Sequence, residues 1–154
     1  MAGKDLPLDR SVLTEISIHP KWAGLGIDEI NRRVKRALWG DQEEMREEFD
    51  LLANEHSPVW YRGFVELSEQ KICKTLEKSL KLLNGKMMVV GHTPQFNGKI
   101  LGRCKSSIGM PQLFVIDVGI SSAYISGCAA LEILISDDRM HIRALYPNGK
   151  VVEY

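Results

Sequence analysis

An Asn-Gly pair at positions 84 and 85 divides this chain into two textures. Before it, apolar residues recur every three or four positions. After it, they come in short runs broken by Gly, Pro, Asn and Asp. The first pattern is that of amphipathic helices, the second that of strands joined by turns. Helices followed by mostly antiparallel strands predict an α+β chain or a layered α/β/α one. With 154 residues, there is enough chain for one domain with its own core.

Upstream of the divide, Ile27, Ile30, Val34, Ala37 and Leu38 fall at helical spacing. They predict a helix near 28–39, with Asp28 as its cap and Gly40 as its stop. A second helix is expected over about 42–53, with Met45, Phe49 and Leu52 facing inward. The stretch "NEHSPVWYRGFVEL" carries Pro58 and Gly63 and reads as irregular. Ser68 opens a third helix with a buried stripe of Ile72, Leu76, Leu80 and Leu83, and Asn84-Gly85 closes it. Downstream, "KMMVVGHT" reads as a short buried strand, and "KILGRC" and "QLFVIDVG" as strands separated by "KSSIGMP". "CAALEILIS" and "MHIRALY" form a hairpin around Asp137-Asp138, and "KVVEY" adds a last strand.

Charge excludes some functions. Twenty Lys and Arg balance twenty Asp and Glu, so no basic field is directed at nucleic acid. The basic "NRRVKR" and the acidic "DQEEMREEFD" read as solvated faces of adjacent helices. No apolar run reaches bilayer-spanning length, and the N-terminus has no signal-peptide core, so a soluble, cytoplasmic protein without membrane contact is expected. Cys73, Cys104 and Cys128 are odd in number and not spaced for zinc. They are expected to be buried thiols in a reducing compartment.

Three stretches carry chemistry. His92 follows Val89-Val90-Gly91 and precedes Thr93-Pro94. A neutral imidazole on a rigid strand tip suits zinc, iron or manganese; the same residue can equally close a turn by hydrogen bonding. Asp117-Val118-Gly119 repeats the arrangement, and Asp117 can either orient a neighbouring histidine or cap its own turn beside Ser121-Ser122. In "SPVWYRG", Arg62 offers a planar fork suited to phosphate, or simply covers Trp60 and Tyr61. His19, His56 and His141 have no such context; His141 falls in a surface hairpin.

Taken in order, "HPKWAGLGIDEINRRV", "SPVWYRG", "VVGHTPQ" and "IDVGISSAY…AALEI" resemble calcineurin-like metallophosphoesterases. Within their phosphoprotein-phosphatase branch, the chain looks most like the Shewanella-like protein phosphatases, from about Ile18 to about Ile135. The resemblance implies a divergent segment at 1–17 and a partial phosphoesterase domain at 18–154. It implies the C-terminal half of a four-layer α/β/β/α sandwich. Two divalent metal ions (manganese, iron or zinc) would sit at the strand ends, activating water against a phosphate monoester, including Ser, Thr or Tyr phosphoprotein. His92 would be a metal ligand, Arg62 a contact to substrate phosphate and Asp117 a supporting residue.

Other ligands of that family lie in an Asp-x-His stretch, a Gly-Asp-x-x-(Asp)-Arg-Gly stretch and a Gly-Asn-His-Glu stretch, none of which occurs in this sequence. At the place of a further ligand histidine stands "TEISIHP", with Glu15 as a candidate carboxylate. Two scattered ligands do not hold two ions against water. The expectation is a chain inactive by itself that does not stably bind metal. The alternative is a non-catalytic regulatory module, its open sheet face covered by a partner chain or by self-association.

Overall fold

The computed structural model describes residues 25–54, 57–124, 127–136 and 139–154. Glu15, His19, His56, the Asp137-Asp138 turn and the boundary at 17/18 lie outside them. The chain divides into two compact units, Met1–Gly63 and Phe64–Tyr154.

In the first unit, α1 (Ile27–Trp39) and α2 (Gln42–Ala53) are joined at Gly40-Asp41. Both helices fall within a residue of their expected spans, but they start and face differently. Gly26, not Asp28, caps α1, its carbonyl accepting from the Ile30 N–H at 3.1 Å. Asp28 and Glu29 instead occupy the first turn, where the helix dipole favours them. Asp41 caps α2 in a reciprocal capping box with Glu44. Met45 and Phe49, expected inward, are exposed; α2 buries Glu48 and Leu51 instead. The reason is charge. Arg36 donates to Glu44, Glu47 and Glu48 at 2.8–3.1 Å, and Arg33 lies 3.7 Å from Glu48. A buried carboxylate persists only when so paired, and this pairing turns the charged faces together.

The second unit is layered as helix, sheet and sheet. After a single turn, α3 (Gly63–Glu66), comes α4 (Glu69–Leu82). The first sheet holds β1 (Met88–Val90), β3 (Pro111–Val115) and β2 (Leu101–Lys105), in that order. β1 runs parallel and β2 antiparallel to the central β3. The second sheet is the meander β4 (Ala130–Ser136), β5 (Arg139–Leu145) and β6 (Val151–Glu153), with a 3-10 turn at Pro147–Gly149. Ile72, Leu76 and Leu80 of α4 meet Leu113 on one face of β3; Phe114, pointing the other way, meets Ile142 and Ala144 of the second sheet. This is an α+β fold, as the change of texture at 84–85 predicts.

The end of α4 also follows its sequence. Asn84 takes a left-handed φ of 51°, and the Gly85 N–H reaches back to the Leu80 carbonyl at 2.8 Å. Leu83, expected in the buried stripe, lies at this cap and is 70% exposed; Thr75 is buried in the stripe instead. β1 is half-buried rather than buried, because it edges its sheet and Val89 faces out.

The cysteine expectation is overturned. Cys73 of α4 and Cys104 of β2 form a disulfide across a Cα–Cα distance of 5.2 Å, and Cys128 is exposed. Packing of α4 over β2 brings the two thiols together, a proximity that spacing along the chain does not encode. Among the described residues, no helix is long and apolar enough to cross a membrane.

Candidate functional site

The parallel ladder of β1 and β3 builds the most distinctive site in the second unit. Met88, Val89 and Val90 pair with Leu113, Phe114 and Val115. The Ile116 N–H then donates to the Val90 carbonyl at 2.9 Å, carrying the register past the strand ends. His92 and Asp117 each stand two residues beyond, on neighbouring strand tips. The loop folds back to close this end: the Gln95 N–H donates to the Asp117 carbonyl at 2.8 Å, and Gln95 Nε2 donates to the Thr93 carbonyl at 2.9 Å.

His92 is exposed and takes a φ of 67°. A non-glycine residue in the left-handed region costs free energy, and such residues concentrate at functional sites. A Cβ placed on the preceding Gly91 would meet nothing within 4 Å among the described residues. Packing within the unit therefore does not require glycine there, and the tip is open above Gly91.

Asp117 is half-buried. Its Oδ1 accepts the Gly119 N–H at 3.1 Å, the turn-capping alternative named above. Gly119 has a φ of 62°, where glycine is the natural residue, and its carbonyl accepts the Gly127 N–H at 3.0 Å. Ser121 builds a separate turn, its Oγ accepting the Ala123 N–H.

Arg62 belongs to the first unit, in a tightly built stretch. Ser57 is fully buried; its Oγ donates to the Leu51 carbonyl at 2.6 Å and accepts the Val59 N–H. The Trp60 indole N–H donates to the Leu52 carbonyl, and the Arg62 guanidinium lies 5.6 Å from the Trp60 ring centroid. The indole is thus fixed and the arginine lies over it in a cation–π contact, its planar fork being of the kind suited to an anion. Burial pushes the Tyr61 phenol up to about 12.

His92 and Asp117 are therefore brought to one sheet end, and Arg62 is held by its own motif. Among the described residues, no group of three or more His, Cys, Asp or Glu side chains converges as a metal site. His92 and Asp117 do not by themselves make a site for two ions. His141 lies exposed on β5, opposite Leu134, as expected of a hairpin residue. Sequence reading missed Arg103, buried in β2, which donates to the carbonyls of Phe64 and Val65 in α3 and of Leu67 just beyond it. An arginine in a strand otherwise headed for a core was the available signal.

No family model matches this chain. An uncharacterized protein of Schizosaccharomyces pombe is 34% identical over 138 residues, which are 88% of this chain and 39% of that protein. The solved structure of a cold-active protein tyrosine phosphatase superposes with a TM-score of 0.52 at 22% identity, covering 88% of this chain and 37% of that one. The chain thus spans about two-fifths of the length of the proteins it matches. It shares its fold with part of a phosphatase.

Proposed function

We propose that this chain is part of a calcineurin-like metallophosphoesterase of the phosphoprotein-phosphatase branch, whose reaction is metal-dependent hydrolysis of phosphate monoesters. One observation carries the reading. The parallel β1–β3 pair ends in His92 and Asp117, on adjacent tips, in a fold shared with a protein tyrosine phosphatase. On this reading His92 contributes one ligand to a divalent metal site, and the open tip at Gly91 leaves room for ion and substrate. Asp117 steadies the same loop end, and Arg62, seated on Trp60, contacts the phosphate. On this reading the chain by itself neither retains metal nor turns over substrate, because the stretches that carry the family's other ligands do not occur in its sequence. A phosphorylated protein is the substrate class this reading favours.

The test uses two proteins. This chain, incubated with Mn²⁺ and p-nitrophenyl phosphate, should retain no metal on equilibrium dialysis and release no product. The longer Schizosaccharomyces pombe relative should hydrolyse the ester with Mn²⁺, and should lose metal when its histidine aligned with His92 is changed to alanine. A relative that is inactive with every divalent ion tried would sink the assignment.

A second reading, a non-catalytic module that binds a partner chain or a second copy, is favoured by β4. This strand edges its sheet, and Leu134 and Ile135 on it are exposed. Sedimentation of this chain would separate the readings, since a module of this kind self-associates or captures a partner through that strand.

A further inference from the structure

The two sides of α4 differ in character. Ile72, Leu76 and Leu80 are buried with Cys104 and Leu113 of the first sheet. Lys71, Lys74, Lys78 and Lys81 recur every three or four residues, and all four are exposed. At about 100° of rotation per residue the lysines share an arc of about 80°, on the side of the helix away from the buried stripe. At about 1.5 Å of rise per residue they run for about 15 Å along its crest.

The stripe carries one sign. Glu69, in the first turn, lies on the side of β2, its carboxylate 3.7 Å from Arg103 Nε. Glu77, the other carboxylate of α4, stands at the edge of the stripe and not within it. The stripe ends in two leucines that remain in water. Leu82, the last helical residue, is 41% exposed, and Leu83, at the cap, is 70% exposed. Lys86, also exposed, follows them. Apolar side chains bracketed by Lys81 and Lys86 suit a surroundings that is negative at its surface and apolar just beneath.

We propose that this face of α4 docks on the surface of an anionic lipid bilayer, with the lysines over the headgroups and Leu82 and Leu83 entering the acyl boundary. The chemistry favours lipid over other polyanions. The stripe crowns a convex helix instead of lining a groove. α4 has no aromatic side chain on which bases could stack and no arginine fork for phosphate. A phosphate backbone would match the lysines but leave the leucines in water, whereas a bilayer takes both. Among the described residues no helix is long and apolar enough to cross a membrane, but docking on its surface needs no such length. Leu82 and Leu83 lead into the start of β1, and His92 follows its other end. The docking face therefore does not depend on a phosphatase activity at the strand tips.

Flotation of the whole chain with lipid vesicles tests this. It should rise with phosphatidylcholine vesicles containing about 30 mol % phosphatidylserine, and stay behind with phosphatidylcholine alone. Raising salt from about 50 mM to about 300 mM should release it, because the attraction reaches only a screening length. Lys74→Gln and Lys78→Gln should each lower the partition coefficient by about fivefold. Leu83→Ser should lower it as well, and Lys99→Gln, off the stripe, should leave it unchanged. No flotation at low salt, or equal flotation with neutral vesicles, would overturn the proposal. An equal loss from Lys99→Gln and Lys78→Gln would also do so, by marking a general charge effect. Tighter binding to poly-glutamate or to duplex DNA than to the vesicles would assign the stripe to a protein or nucleic-acid partner instead, and overturn it too. The lipid and salt series use the unaltered chain, so they decide even where a variant fails to fold.

Discussion

The phenol of Tyr61 lies against the backbone of Gly63, so close that a Cβ at position 63 would stand 2.1 Å from its oxygen and 2.3 Å from Cζ. The glycine is needed for space, since the aromatic side chain folds back over its own chain two residues on. Gly63→Ala should therefore destabilise the fold by about 1–3 kcal/mol, as overpacking does. Denaturant midpoints will measure this. Tyr61→Leu combined with Gly63→Ala should recover part of the loss, whereas Tyr61→Phe should not, because ring carbons are among the crowded atoms.

Arg103 supplies donors to three carbonyls at once and is about nine-tenths buried. Arg103→Met should leave those carbonyls without a donor and cost on the order of 3 kcal/mol. Arg103→Lys should recover only part of this, since an ammonium cannot spread its donors over the same fork. Chemical denaturation of the three proteins, compared at equal slope, checks the order wild type, Lys, Met.

Hydrogen bonds from Arg32 first and Arg33 second hold the Glu29 carboxyl down at about 2, against an ordinary value of 4.5. A depressed folded-state value means that its contribution is complete above the unfolded value and fades as pH falls through the folded one. The α1–α2 hairpin should thus lose this support between about pH 4.5 and pH 2. Helical circular dichroism on acid titration, compared with Glu29→Gln, isolates it: the variant should lack the component lost in that window. Salt should shrink the difference, because these side chains are exposed.

His92 separates a backbone role from a chemical one. Its φ of 67° suits glycine, so His92→Gly should be more stable than His92→Ala by about 1 kcal/mol in thermal denaturation. If the imidazole is kept for binding metal, as proposed above, neither variant should support metal retention once the site is completed. A glycine variant that restores metal retention would show that the imidazole is dispensable.

Much of this architecture was written locally. Asn84-Gly85 stops α4 because the cap needs a left-handed residue, and that need is visible in two letters. The strands and their order of appearance followed from alternation and turns. What was not legible depended on contacts between elements. Apolar period alone aimed Met45 and Phe49 inward, but Arg33 and Arg36 won the interface through Glu48. Cys73 and Cys104 are 31 residues apart, and only the packing of α4 on β2 makes them neighbours. At the strand tips, the residues themselves were found from sequence. Their juxtaposition required the parallel register of β1 and β3. For Asp117 both roles were open beforehand, and the structure has its carboxylate on the Gly119 N–H.

That parallel register has a kinetic consequence. β2 and β3 are near neighbours in sequence and can zip as a hairpin, while β1 must wait for an edge of β3 on which to dock. Pairings that close longer loops form later, because their entropy cost falls due before their contacts reward it. The strand end bearing His92 should thus be among the last parts of the second unit to take shape during folding. Pulse-labelled exchange would detect this as late protection of Val90 and Ile116, and early protection there would reverse the order.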